Sequence, residues 1–168
     1  MRSLRIYACR ILPEGKIIIL DNNKRQLLLF SKDGIFIRII VTFTNNPYDT
    51  CFVKNNTVAV VLGSTNQTTL VDIEMNRIIQ TIKLSHDCNG VASDGETLVI
   101  SSSDSQRTRV NINDMSHTLL EDMGGVGCIA LIQGNIYGTI PVENKVCCLK
   151  STGELLWIFQ HQDIDCPV

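Results

Sequence analysis

Apolar and polar positions along this 168-residue chain fall into short alternating blocks, and one phrase returns four times. Each copy is a polar turn, an apolar strand, a second polar turn, another strand, a turn bearing Gly or Asn, and a last strand. The second strands align at 17–21, 58–62, 98–102 and 136–140. The third strands end at Phe30, Ile73, Ile112 and Leu149, in steps of 43, 39 and 37 residues. Apolar runs this short, bounded by turn residues, read as β-strands and not as helices. A period near 40 with several strands per unit is the signature of propeller blades, and loop-length variation around a fixed unit produces unequal steps. The pattern predicts an all-β fold: a β-propeller of four-stranded antiparallel blades, about four of them present.

The first copy carries every signal in order. Residues 7–12 form a strand, Pro13-Glu14-Gly15 a tight turn in which Pro presets φ and Gly takes the positive φ. Residues 16–21 and 26–30 follow on either side of Asn22-Asn23-Lys24, and Asp33-Gly34 turns the chain into a last strand at 35–41. Arg38 interrupts that last apolar stretch, as suits an outer edge strand. The copies span about 6–42, 47–84, 88–123 and 125–160, one propeller domain over 1–168, and 161–168 reads as the start of a further blade. A ring of about six blades at this period needs about 240 residues, so the expectation is an incomplete six-bladed ring whose end blades expose apolar faces.

Composition narrows the function more than the fold. A net charge of −2 supplies no global field that would draw nucleic acid or anionic membrane. No run of 18 apolar residues occurs, and Arg2, Arg5 and Arg10 have no apolar stretch between them, so neither a membrane span nor a signal peptide is read. The seven cysteines are odd in number and include no Cys-x-x-Cys pair. Cys9, Cys51 and Cys128 fall in first strands, where small buried residues fit, so reduced core thiols and a cytoplasmic location are expected. The sequons Asn55-Asn56-Thr57 and Asn66-Gln67-Thr68 point the other way, but such triplets are common by chance.

The phrases Leu12-Pro13-Glu14-Gly15-Lys16, Asp21-Asn22-Asn23-Lys24-Arg25, Asp33-Gly34, 55–60 and 163–167 resemble NHL-like β-propellers, in particular the C-terminal region of invertebrate, notably mollusc, tripartite-motif (TRIM) proteins. The resemblance covers essentially the whole chain and specifies blade geometry, not a reaction. It implies a parent with RING and B-box zinc modules, a coiled coil and ubiquitin-ligase activity, in which the propeller selects protein or RNA partners. No such zinc module stands in these 168 residues, so ligase chemistry and zinc are not carried over. The aspartate of the first copy, Asp21, becomes Leu62, Ser102 and Ile140 in the later ones. A second likeness, of 152–157 around Trp157 to quinoprotein-type propellers, implies inter-blade packing of the Trp and no cofactor.

Loops joining strands two and three, and loops joining blades, cluster by face and often bind partners. Here they offer Lys24, Arg25, Tyr48, Asn66, His86, Asn89, Arg107, Asn144 and Lys145 as a partner-binding set, with His161 beyond them. Arg forks in such a set fit phosphate or acidic peptide. Catalytic, cofactor and metal sites are read as none. His86-Asp87-Cys88 lacks an oxyanion device, Gly124-Gly125-Val126-Gly127 lacks the helix and Lys of a phosphate loop, and Cys147 and Cys148 point to opposite strand faces, with one expected to be exposed. The leading expectation is a non-catalytic scaffold that binds a protein, with RNA as a sub-case and no small-molecule substrate evident. The alternatives are a propeller enzyme of hydrolase or lyase type, for which three His are few, and an incomplete gene product without independent activity.

Overall fold

A computed structural model of the chain describes residues 4–63, 65–102, 106–120 and 127–160. Among these residues are sixteen strands in four antiparallel sheets of four, each sheet pairing strands in chain order. The fold is all-β and built of propeller-type blades. The chain divides into two compact units, Met1–Leu84 and Ser85–Val168, each holding two blades.

In the first unit, blade 1 comprises β1 (Ile6–Ile11), β2 (Ile17–Asp21), β3 (Gln26–Phe30) and β4 (Phe36–Thr42). Blade 2 comprises β5 (Asp49–Phe52), β6 (Thr57–Val61), β7 (Gln67–Asp72) and β8 (Arg77–Lys83). One core joins them: Ile18, Leu20, Leu27, Leu29 and Ile40 of blade 1 pack with Val58, Val60, Val71 and Ile73 of the second sheet. The central strands are buried on both faces, which explains why 58–61 is a continuous apolar run in place of an alternating one. The inner strands are tied by Arg10 to Asp49 at 2.7 Å, and Arg38 of β4 donates to the Ile73 carbonyl at 2.9 Å. The opposite face of blade 1 carries the cross-strand rows Cys9, Ile19, Leu28, Ile39 and Ile11, Ile17, Phe30, Phe36. It is apolar and largely open, with Ile11 73% and Phe36 53% exposed.

Turn chemistry sets the ends. Asn55 and Asn56 both have positive φ (46° and 61°) and Thr57 N–H donates to the Lys54 carbonyl, a two-residue hairpin turn that matches strand twist. At the β3–β4 and β7–β8 turns, Ser31 Oγ and Asp72 Oδ1 each accept two backbone N–H groups further along, closing the corner with a side chain.

In the second unit, blade 3 comprises β9 (Gly90–Ser93), β10 (Thr97–Ser101), β11 (Arg107–Asn111) and β12 (His117–Leu120). Blade 4 comprises β13 (Ile129–Ile132), β14 (Asn135–Ile140), β15 (Lys145–Lys150) and β16 (Leu155–Gln160), with a 3-10 turn at Pro141–Glu143. Ala92, Val99, Ile129, Ile136, Cys147 and Leu149 form the shared core. Gly90 lets the inner strands approach: a Cβ there would lie 2.8 Å from both the Gly127 carbonyl and Ser101 Oγ.

Described strand ends fall within one residue of expectation, except that β13 starts at Ile129, two residues later than the expected Gly127. The expected further blade at 161–168, the end of the third copy near Met123, and the 124–126 part of the glycine segment lie outside the described residues. Several thiol expectations are corrected. Cys51 is buried as expected, but Cys9 and Cys128 are exposed. Cys9 alternates away from buried Ala8 onto the open face of blade 1, and Cys128 precedes β13. Cys147 and Cys148 are both buried, at 0% and 1% exposure, because β15 is covered on both sides. Trp157 is 45% exposed on the outer strand β16 and tilts against Tyr137, instead of filling a space between blades.

Two outcomes follow. Burial pushes the Cys51 thiol up, with the Asp49 charge adding to it, so among the described cysteines a thiol reagent should modify Cys9 and Cys128 in the native chain. Cys51, Cys147 and Cys148 should react only on unfolding; peptide mass mapping that finds Cys148 labelled under native conditions contradicts this. At the β9–β10 turn, burial raises the Asp94 pKa, but the Thr97 and Glu96 N–H groups and the Thr97 hydroxyl together outweigh it and hold the carboxyl below its ordinary value. The turn's contribution is therefore present above the unfolded-chain value of about 3.9 and is lost as pH falls through the lower folded value. The melting-temperature gap between wild type and Asp94→Ala should narrow as pH drops through this range, and a constant gap down to about pH 2 would refute it.

Candidate functional site

The loop end of the first unit is built outward from Asp21, the last residue of β2. Its Oδ1 accepts the backbone N–H groups of Arg5, Asn23 and Lys24 at 3.2, 3.1 and 3.4 Å, so one buried carboxylate shapes the β2–β3 loop. This accounts for an aspartate at this position in the first copy. In blade 3 the equivalent Ser102 does part of the work, its Oγ accepting the Gln106 N–H at 3.0 Å. Asn22 is buried and donates from Nδ2 to the Pro47 carbonyl at 2.9 Å, tying this loop to the one entering β5.

Arg25 and Tyr48 meet over the resulting floor. Arg25 takes a positive φ of 56° and lays its guanidinium along the 44–46 segment, donating to Asn46 Oδ1 at 2.9 Å and to the Thr44 carbonyl at 2.8 Å. Tyr48 stands edge-on to Tyr7, ring centroids 5.5 Å apart, and Arg5 lies over the Tyr7 ring at 5.2 Å. Between them is a polar hollow of about 230 Å³ lined by Arg25, Thr44, Asn45, Asn46, Tyr48, Leu62 and Thr65. Lys24 is exposed beside it. Such a hollow can take a carboxylate or phosphate on the Arg fork with a flat group against the tyrosine.

The structure brings together four of the nine expected residues: Arg25 and Tyr48 line the hollow, Lys24 flanks it, and Asn66 follows lining residue Thr65 with a positive φ of 55°. The other five sit in the second unit. Arg107 is 1% exposed and His86 3% exposed, so neither presents a surface. His86 Nδ1 donates to the Asp87 carbonyl at 2.6 Å and Nε2 accepts from the Thr108 hydroxyl at 2.7 Å, so both ring nitrogens hold protein partners and no base is offered to a nucleophile. Asn89 bonds through its backbone to Ser101. Asn144 is the left-handed cap of the 3-10 turn, and Lys145 pairs with Glu143. His161 lies outside the described residues. Among the described residues no group of three or more His, Cys, Asp or Glu is placed to hold a metal, and no helix is long and apolar enough to cross a membrane.

Sequence reading missed Gly63 and Tyr7. Gly63 has φ +48°, and a Cβ there would lie 2.4 Å from Tyr48 Cε2, so the ring rests directly on glycine backbone. The signal was available in the Leu62-Gly63-Ser64 step but reads equally as an ordinary turn. Gly63→Ala should displace the Tyr48 ring and lower the unfolding free energy by about 1–2 kcal/mol. Urea unfolding indistinguishable from wild type would contradict this role.

No protein-family model matches the sequence, and no curated protein does. Among solved structures, a chain of the crystal structure of a nidogen/laminin complex is similar in fold, with a TM-score of 0.76 at 14% identity over 90% of this chain and 62% of that one. This chain thus spans less than two thirds of the solved chain it resembles. The likeness is one of propeller-type architecture and is not specific to NHL or TRIM proteins. Many solved chains, 1412, match, so the fold alone selects no task. One expectation is overturned. The cytoplasmic location read from the thiols does not stand, because the similar structure belongs to an extracellular-matrix assembly.

Proposed function

We propose that the chain is a non-catalytic propeller-type scaffold that binds a protein partner at the loop end of its first unit, through an acidic segment of that partner. The observation that carries this reading is the Arg25 guanidinium, fixed by Asn46 and Thr44 beside the Tyr48–Tyr7 pair over an open polar hollow. A prepositioned fork loses little freedom on binding a carboxylate, and aromatic rings add contact area at low entropic cost. Lys24 and Arg5 add like charge around it. The burial of Arg107 and the pairing of Lys145 with Glu143 thin out the basic set in the second unit, which favours an acidic peptide over an RNA backbone.

The NHL-like phrases support placing this scaffold in a tripartite-motif-like parent, where it selects substrates for ubiquitination; ligase chemistry in such a parent belongs to zinc modules outside these 168 residues. The nidogen/laminin likeness supports partner binding by this architecture in general.

Lys24→Glu with Arg25→Glu should reduce capture of protein partners by about tenfold or more with only a small fall in melting temperature, since both side chains are exposed and the two Arg25 bonds that are lost lie at the surface. Undiminished capture would sink the reading. Recovery of crosslinked RNA in place of protein, with binding that falls steeply in salt, would replace it with the nucleic-acid alternative.

A further inference from the structure

At the opposite end of the first unit, the β1–β2, β5–β6 and β7–β8 turns enclose a second cleft that the loop-end site does not use. Its volume is about 150 Å³. The floor is hydrocarbon from both blades: Leu12, Leu29 and Ile73 belong to the buried core, and Phe52 packs against it. An apolar space of about 150 Å³ accepts a benzene-sized group, so this cleft fits one branched or aromatic side chain.

The rim is polar and unevenly occupied. Arg38 spends two of its five N–H groups on fixed protein acceptors, Nε to Asn76 Oδ1 at 2.8 Å and Nη2 to the Ile73 carbonyl at 2.9 Å. The remaining three, including both on Nη1, hold no hydrogen-bond partner among the described residues. The guanidinium is thus locked in orientation with an end free to take a carboxylate. Lys16 and Glu14, the neighbouring charges on the β1–β2 turn, neutralise each other at 2.9 Å; the other charged rim residues are Arg38 and Glu74, which form no ion pair with each other among the described residues, so Arg38 is the cation available to an anion here. Across the rim, the side-chain amides of Asn55 and Asn56 project from a two-residue turn with no hydrogen bond of their own among the described residues. Amides of this kind suit the peptide groups of an extended chain.

We propose that this cleft binds the C-terminus of a peptide chain ending in an apolar residue such as Leu, Ile or Phe. The side chain enters the hydrocarbon floor, the terminal carboxylate meets Arg38, and the preceding peptide group meets Asn55 and Asn56. The site is separate from the loop-end hollow and stands or falls independently of it.

The test uses the full 168-residue chain and three probes: acetyl-Gly-Gly-Leu as the free acid, the same peptide as its C-terminal amide, and free leucine. Calorimetry should show the acid binding about tenfold or more tighter than the amide, as a charge-assisted fork contact requires. Amide NMR shifts should concentrate at Asn55, Asn56 and Glu74. Arg38→Lys, which keeps the charge and loses the fork, should bring acid and amide to within about twofold of each other. Because the wild-type comparison of acid and amide needs no variant, destabilisation by the substitution would not rescue the proposal. Equal binding of acid and amide, free leucine binding as tightly as the tripeptide, shifts at Arg25 and Tyr48 instead, or no binding of the acid would each overturn it.

Discussion

A four-stranded meander has two faces and too little bulk to bury either alone, so everything in this protein depends on one sheet covering another. In the first unit the interlocking of Ile18, Leu20 and Leu27 with Val58, Val60 and Val71 meets that demand. Those residues lie on the central strands and point at the facing sheet, which covers them while the flanking strands close the sides. The ion pair between Arg10 and Asp49 and the Arg38 bond to the Ile73 carbonyl close the inner and outer margins of the same interface. With the sheets fixed, their turns gather into two ends, and both candidate sites are what those turns leave between blades.

The two ends differ in kind because different residues do the joining. At the loop end the connections are polar, and buried Asp21 and Asn22 organise them through backbone groups. The hollow there is correspondingly polar, and of its two large apolar contributors, Leu62 and Tyr48, the tyrosine is held by a glycine beneath and another tyrosine beside it. At the turn end Leu12, Leu29, Phe52 and Ile73 bring the hydrocarbon of the core close to the surface. An arginine that serves to bind one blade to the next also sets the polarity of that opening. Structural and recognition roles share the same side chain.

The strand register was legible because apolar runs and turn residues agree with each other over four copies. The ends of β3, β5, β9 and β16 follow from Gln26, Asp49, Gly90 and Gln160. What periodicity could not show is which polar residues are inside. β11 reads Arg-Thr-Arg-Val-Asn, with one apolar position, yet Arg107 and Thr108 are buried and Thr108 satisfies His86. A strand in the middle of a sheet can hide a polar group when a partner meets it, as Thr108 meets His86, and that pairing is a long-range fact. Cys9 and Cys128 went astray for the reverse reason: a small residue in a first strand was equated with burial, although alternation sends Cys9 to the open face of blade 1 and Cys128 falls just before its strand. Of the candidate site, the basic loop at 24–25 and Tyr48 were readable as loop residues. Their meeting was not, since it depends on the Asn22 bond to Pro47 and on the space above Gly63.

The consecutive pairing of every strand has a consequence for how the chain reaches its native state. Each sheet is assembled from hairpins between neighbours in sequence, so its conformational entropy is surrendered through many short loop closures, each of low cost. The turns at Asn55-Asn56 and at Gln133-Gly134 are among the tightest of these, and each joins strands adjacent in sequence. Docking of the finished sheets is then the one step in the first unit that joins residues distant along the chain. Ordering within a blade and ordering between blades are separable events, and the second is where hydrocarbon stays wet the longest.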